Sequence, residues 1–214
     1  MRTTRRQFSQ GALALGIGSL LPTRLPAAAR ALAAGDALPP PDPLVHALNR
    51  TSYGIREEDL QLARIMGLQN YLEEQLHPET LDDSAVEDFV ARQFPELTLR
   101  SAELFALPEE RQQRAAVGLK LATLYRRWFS RRQLYEVMVE FWSDHFSIYQ
   151  SENRLRLLKI ADDRDAIRPH ALGRFRELLQ ASATSPAMLD YLDNARSVAD
   201  GPNENYAREL LELH

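Results

Sequence analysis

The sequence predicts an all-α protein, an irregular multi-helix orthogonal bundle without a β-sheet. Apolar residues recur three and four positions apart along most of the chain, which is the spacing of one face of an α-helix. No stretch shows a convincing alternation of apolar and polar residues, the pattern of a half-buried strand. Glycine is scarce, with nine residues, and proline sits at the breaks between periodic segments. We therefore expect about nine or ten helices in a single domain.

The N-terminal segment, residues 1–33, has the features of a twin-arginine export signal. Arg5 and Arg6 form a pair, and Phe8 follows them. A weakly apolar run rich in glycine and alanine occupies residues 11–21. This modest hydrophobicity favours the twin-arginine route over an ordinary secretory signal, although that signal and a basic N-terminal helix remain alternatives.

Signal cleavage is expected between Ala33 and Ala34, because Ala31 and Ala33 place small residues where signal peptidase reads them. The expected partners during export are the twin-arginine translocase and signal peptidase, and the expected location is periplasmic or extracellular. An uncleaved segment would instead serve as an anchor. A proline-rich linker follows at residues 34–43, and residues 44–214 form the predicted helical domain.

Composition excludes several classes of protein. The chain carries 26 Lys and Arg against 30 Asp and Glu, a net charge of −4. Residues 1–33 contain five arginines and no acid, so their removal takes the charge to −9. Such an acidic domain argues against non-specific nucleic-acid binding, which needs clustered cations. The absence of cysteine excludes disulfides, thiolate metal sites and a cysteine nucleophile. Beyond residue 35 no apolar run is long enough to span a membrane.

The first half of the domain divides into six helical segments. Gly67 and Pro95 mark two of the breaks, and Pro108 is a strong helix start. The last segment carries an apolar stripe that we expect to face the core: Val117, Leu121, Leu124 and Trp128. The predicted spans are 44–50, 56–66, 68–76, 84–93, 101–106 and 108–128.

A central, aromatic-rich helix is predicted over about residues 130–149, opened by a capping box at Ser130–Gln133. Its expected buried stripe is Leu134, Val137, Met138, Phe141, His145 and Ile148, widened by Trp142 and Tyr149. The opposite, polar side carries Glu136, Glu140, Ser143, Asp144 and Ser147. A stripe this wide predicts a core helix that touches several neighbours.

The remaining helices are predicted over 153–161, 171–183, 186–192 and 203–214. Pro169 ends the helical segment that precedes residue 171. The chain stops at Leu213-His214 in the middle of a helical pattern. We therefore expect a truncated last helix, hence a truncated protein, and association through its stripe of Tyr206, Leu210 and Leu213.

Two helices carry the leading candidates for chemistry. On the central helix Glu140 and Asp144 share a face, and His145 is adjacent but turned toward the core. On the last helix the candidates are Glu209 and Glu212, with His214 nearer the apolar side. The metal candidates are His145, Glu209, Glu212 and His214, although the Glu-x-x-His spacing of di-iron bundles is absent. Solvated acidic faces and a hydrogen-bonded core histidine are the alternative interpretation.

A third charged group lies between two predicted helices, and we interpret it as a charged interhelical corner. It lacks the glycine turn and the closing glutamate of a calcium loop. Its members are Asp162, Asp163, Asp165, Arg168 and His170.

Five segments together resemble a bacterial family catalogued as domain of unknown function 1800. They are His46–Arg50 with Gly54, Gln133–Phe146, Ile167–Gly173 with Phe175, Ser185–Leu189 with Tyr191–Asn194, and Asn203–His214. Their order and spacing match from about residue 43 onward. The resemblance implies that family members continue past this last histidine. It supplies neither an activity nor a cofactor that could be carried over to this chain.

Two hypotheses of function follow. The first is an exported enzyme or metal-binding protein of the envelope with a carboxylate and histidine site. The second is a non-catalytic scaffold or binding module in which the same residues form a buried polar network. A cavity shared by His145 and the Glu209/Glu212 face favours the first, and carboxylates that face solvent or pair only with arginines favour the second.

Overall fold

The structure is a computed structural model that describes residues 42–150 and 153–213. These ranges contain eleven α-helices and no strand, which confirms the all-α prediction. The helices are α1 Pro43–Thr51, α2 Glu57–Met66, α3 Leu68–Leu76, α4 Ser84–Gln93, α5 Ser101–Phe105, α6 Glu109–Phe129, α7 Gln133–His145, α8 Asn153–Ala161, α9 Phe175–Ala183, α10 Pro186–Tyr191 and α11 Asn205–Leu213. Several predicted residues lie outside the described ranges: Arg5, Arg6, Phe8, Ala31, Ala33, Ala34 and His214.

The chain divides into two units by its contacts, Met1–Asp42 and Pro43–His214. Among the described residues, no helix is both long enough and apolar enough to cross a membrane.

The second unit is held together by three apolar clusters. The first joins α1, α2 and α3 through Leu48, Ala63 and Tyr71. The second consists of Leu104, Ala115, Leu119, Leu157 and Ile160. The third consists of Val139, Phe146, Ile148, Leu155, Leu158, Ile167, Ala171, Leu178, Ala187 and Met188. Since α8 gives residues to both the second and the third cluster, it is the helix that joins them.

The apolar stripe of α6 does not face the core, so that prediction is wrong. Its members Val117, Leu121, Leu124 and Trp128 are 41–65% exposed. The buried side of α6 is instead made of small residues and one leucine: Ala115, Ala116, Gly118, Leu119 and Ala122. Small side chains let neighbouring elements approach closely, and a Cβ at Gly118 would lie 3.1 Å from Cδ1 of Phe94.

The central helix α7 is shorter than predicted, because Ser130 does not cap it. The Ser130 hydroxyl donates to Asp83 over 2.7 Å, and the helix begins three residues later at Gln133. Ser130 accepts a hydrogen bond from the backbone N–H of Arg132 over 2.9 Å. At its other end the helix stops at His145.

The predicted inner and outer faces of α7 are also partly wrong. Phe141 and Tyr149, both expected inside, are exposed, whereas Glu136, expected on the polar side, is only 3% exposed. The reason is that α7 contacts α1, α3, α6 and the segment after α8, so neighbours surround it on more than one side. A single stripe cannot describe a helix with that many neighbours.

The segment after α8 is not an interhelical corner. The helix continues from α8 into a π-helical stretch, Asp162–Ile167, and then into a 3₁₀ turn, Arg168–His170. Asp162 and Asp163 point inward and are buried. Single π-helical turns inside helices are rare and often occur at functional sites.

Candidate functional site

The predicted site residues of α7 line two separate cavities. Glu140 and Asp144 line a cleft of about 360 Å³ between α6 and α7, which we call the α6–α7 cleft. His145 and Glu209 line a pocket of about 230 Å³ between the end of α7, α10 and α11, which we call the α7–α11 pocket. The structure therefore brings together one predicted pair from different helices and leaves Glu140 and Asp144 in a different place.

In the α6–α7 cleft, Glu140 forms an ion pair with Arg127 over 2.7 Å. The Arg127 guanidinium also lies 5.1 Å from the centre of the Tyr53 ring, a cation–π contact. The Tyr53 phenol donates to the backbone carbonyl of Glu136 over 3.0 Å. Burial, with an additional effect of the Glu140 carboxylate, raises the pKa of Tyr53 well above its ordinary value. Glu140 is thus committed to contacts within the protein, while Asp144 is exposed at the cleft.

Two buried carboxylates that line this cleft, Glu136 and Asp163, both pair with Arg168. Arg168 donates to both carboxylate oxygens of Glu136 over 3.0 Å, and its Nε donates to Asp163 over 2.9 Å. Burial alone lowers the pKa of Arg168, but the carboxylates of Asp163 and Glu136 outweigh it and raise that pKa well above its usual value. The arginine therefore stays charged and joins α7 to the π-helical segment.

A second buried ion pair lies beside the first. The Lys159 ammonium donates to Asp162 over 2.6 Å, and the Asp162 carboxylate is 1% exposed. Two members of the predicted charged corner are not part of this network: Asp165 pairs with Arg164 at the surface, and Nδ1 of His170 donates to the carbonyl of Ala166 over 2.8 Å. Since each of these buried carboxylates has a cationic partner, the cleft has the character of a structural polar network.

The α7–α11 pocket is built from three helix ends or faces. His145 is the last residue of α7, and Phe146 and Ser147 follow it. The α10 side gives Met188, Tyr191 and Leu192, and the α11 side gives Tyr206, Glu209 and Leu210. On α11, Tyr206 and Glu209 are three positions apart and so share a face.

Aromatic rings fix the position of His145. Its ring centre lies 4.8 Å from that of Phe146, 5.5 Å from that of Trp142 and 6.0 Å from that of Phe141. The ring of Phe175, from α9, lies 6.5 Å away. Side chains packed on several sides restrict rotation, so the imidazole is held at the pocket wall rather than at a mobile surface.

Polar groups from three elements meet at the pocket. Glu209, Tyr191, Tyr206 and Ser147, whose side chains carry a carboxylate, two phenols and a hydroxyl, all line it beside His145. Burial raises the pKa of the Tyr206 phenol, which therefore remains a neutral hydrogen-bonding group at physiological pH. Sequence reasoning missed Tyr191, Tyr206 and Ser147 as site residues. The three-residue spacing of Tyr206 and Glu209 was the one available signal.

The remaining metal candidates do not complete a metal site within the described ranges. Glu212 is exposed and is not among the residues that line the pocket. In residues 42–150 and 153–213, no group of three or more His, Cys, Asp or Glu side chains is placed to hold a metal ion. His145 and Glu209 can contribute two ligands, and the pocket can also bind a polar organic molecule through its carboxylate, imidazole and phenols.

Comparison with known proteins gives one match. The family model described as "Protein of unknown function (DUF1800)" matches residues 46–214, which is most of the chain. No curated protein and no solved structure matches it. The matched region includes every element of both cavities described above. The chain therefore belongs to the DUF1800 family.

Proposed function

We propose that this protein is exported and binds a small ligand in the α7–α11 pocket. The observation that supports this function is that His145 and Glu209, 64 positions apart in the sequence, line one cavity. A concave, largely apolar pocket with a few convergent polar groups is the usual form of a small-molecule site. The α6–α7 cleft is the weaker site because its inner carboxylates already have cationic partners within the protein.

Native mass spectrometry of the full-length protein purified after export tests this proposal. We expect a non-covalent adduct on the wild-type protein, and we expect Leu210→Trp to abolish it because the indole fills the pocket. Leu211→Trp is the matched control, since Leu211 is the next residue of α11 and is 85% exposed. The absence of any adduct, together with no binding from a metabolite mixture, would contradict the proposal.

A divalent metal is one form this ligand can take, because His145 and Glu209 are both common metal ligands. A catalytic metal site needs about three protein ligands, so further donors beyond this pair are required. Elemental analysis of the exported protein, repeated on His145→Ala and Glu209→Ala, tests this form. If the ligand is a metal, the wild type should contain it in a nearly stoichiometric amount and each substitution should remove it. A metal-free wild type rules out a metal ligand.

The export route is proposed from Arg5 and Arg6. Replacing both by lysine should leave the protein in the cytoplasm, as should deletion of the twin-arginine translocase from the host. N-terminal sequencing of the exported form should begin at Ala34. Normal export in the translocase-deficient host would instead assign the ordinary secretory route.

A second candidate function is that of a scaffold that binds another protein through α6. The observation that favours it is the exposed stripe Val117, Leu121, Leu124 and Trp128, since contiguous apolar surface of this kind marks interaction sites. Oxidative footprinting of Trp128 tests it. Protection of this indole in intact cells, compared with the purified protein, supports a covered α6, and equal oxidation argues against it.

A further inference from the structure

The charge of the α7–α11 pocket is not balanced from within. Among the residues that the structure describes, Glu209 is the only carboxylate that lines it, and no lysine or arginine does so. Within residues 42–150 and 153–213, the half-buried Glu209 carboxylate takes part in no hydrogen bond or ion pair. A bound cation would supply the counter-charge that no described residue gives this carboxylate. An anionic ligand would meet the same uncompensated charge and be repelled.

The pocket is also lined by two tyrosines, Tyr191 and Tyr206, which pack against the edge of the third apolar cluster. The rings of Tyr191 and Tyr206 are half-buried and stack on no other ring in the described part of the chain. Phe146, by contrast, is stacked against both Trp142 and Phe175. Aromatic faces attract cations, most strongly those that carry little hydration, such as methylated ammonium groups.

We infer that the α7–α11 pocket takes an organic monocation, an amine or quaternary ammonium compound, whose charge lies against Glu209 and the rings of Tyr191 and Tyr206. The apolar part of the wall, Met188, Leu192 and Leu210, suits methyl groups and does not suit the hydration shell of a metal ion. A volume of about 230 Å³ fits a molecule the size of choline. This inference rests on the proposed ligand-binding function of the same pocket.

The test is isothermal titration calorimetry of the full-length exported protein with choline and with dimethylbutanol, its neutral carbon isostere. The two probes have nearly the same shape, so any difference in affinity reports on charge. We expect choline to bind at least tenfold more tightly. Glu209→Gln should weaken choline binding about tenfold and leave the isostere unchanged. Glu212→Gln, one turn along the same helix at an exposed position that does not line the pocket, should change neither.

The outcomes separate this inference from the proposed function. Equal binding of the two probes, or loss of choline binding in Glu212→Gln but not in Glu209→Gln, overturns the cation assignment while a ligand-binding pocket stands. Displacement of choline by one equivalent of Zn²⁺ overturns it in favour of a metal. If neither probe binds and the mass spectrum shows no adduct, the proposed ligand-binding function is contradicted as well.

Discussion

Arg168 donates one hydrogen bond to each carboxylate oxygen of Glu136, both over 3.0 Å, although the two residues are 32 positions apart. The same guanidinium reaches Asp163 through its Nε. One cation thus pairs with two carboxylates that the fold has withdrawn from water. A bidentate arginine–carboxylate pair also fixes the relative orientation of the two elements that carry it.

Replacing Arg168 by methionine should therefore destabilise the protein strongly. The change leaves Glu136 and Asp163 buried without a partner, and breaking a buried pair in this way costs about 3–5 kcal/mol. Arg168→Lys should recover only part of this loss, because an ammonium cannot form the two parallel bonds. The measurement is the free energy of unfolding in urea. Arg208→Met, which breaks the exposed pair with Glu204, is the control, and its expected effect is below about 0.5 kcal/mol.

The helical class and most helix boundaries could be predicted from the sequence because they depend on local signals. Leu68–Leu76, Ser84–Gln93 and Asn153–Ala161 occupy their predicted spans, and Gly67 adopts a φ of 81° at the break between two helices. The burial of Glu136 could not be predicted in the same way. Its partner, Arg168, is distant in sequence, and hydrophobic periodicity does not predict which charged residues form ion pairs in the fold.

The two faces of α6 give a second prediction. Leu119→Ala should destabilise the protein by about 2–4 kcal/mol, because Leu119 is buried in the second apolar cluster and its truncation leaves a cavity. Leu121→Ala, two positions along the same helix, should change the free energy of unfolding by less than about 0.5 kcal/mol, since Leu121 is 47% exposed. Thermal unfolding followed by circular dichroism compares the two. Similar losses in both variants would mean that the stripe is buried in solution, for instance by self-association.

Hydrophobic periodicity predicted some residues of the candidate site and not others. It placed Glu209 on one face of α11 and turned His145 toward the interior, and both side chains line the pocket. It did not identify Tyr191, which reaches the pocket from α10. It put Glu140 and Asp144 on a different side of α7 from His145, but it could not show that the two sides line two cavities, because the neighbours that form these cavities come from α6, α10 and α11.

The burial of Tyr71 should make the free energy of unfolding fall at alkaline pH. Burial, with a smaller effect from Asp59, raises the pKa of Tyr71 from 10.0 to about 12. Folding therefore favours the protonated phenol, and the resulting stability is complete below about pH 10 and lost as the pH rises toward 12. The wild type should lose on the order of 2 kcal/mol more than Tyr71→Phe over that interval. Urea unfolding at several pH values measures the difference. Tyr149→Phe, at an exposed position, should behave as the wild type does.

Acidic pH should act through Glu96. A side-chain hydrogen bond from Arg111, whose Nη2 lies 2.9 Å from Oε1 of Glu96, lowers the pKa of this carboxyl. A lowered pKa in the folded state means that the ionised form stabilises the fold. The contribution is therefore present above the unfolded value of about 4.5 and is lost as the pH falls through the lower folded value.

Glu96→Gln should accordingly be less stable than the wild type at neutral pH and should lose less stability on acidification, so that the two curves converge at low pH. The carboxylate is almost fully buried whereas Arg111 is half-exposed, so Arg111→Met should destabilise at neutral pH by about 1–3 kcal/mol, the usual effect of leaving a buried acceptor unsatisfied. Arg92→Met, at an exposed position of α4, controls for the loss of one surface charge. Parallel acid-unfolding curves for wild type and Glu96→Gln would show that the pair contributes nothing to the pH dependence, and the low pKa of Glu96 would then have to persist in the unfolded chain.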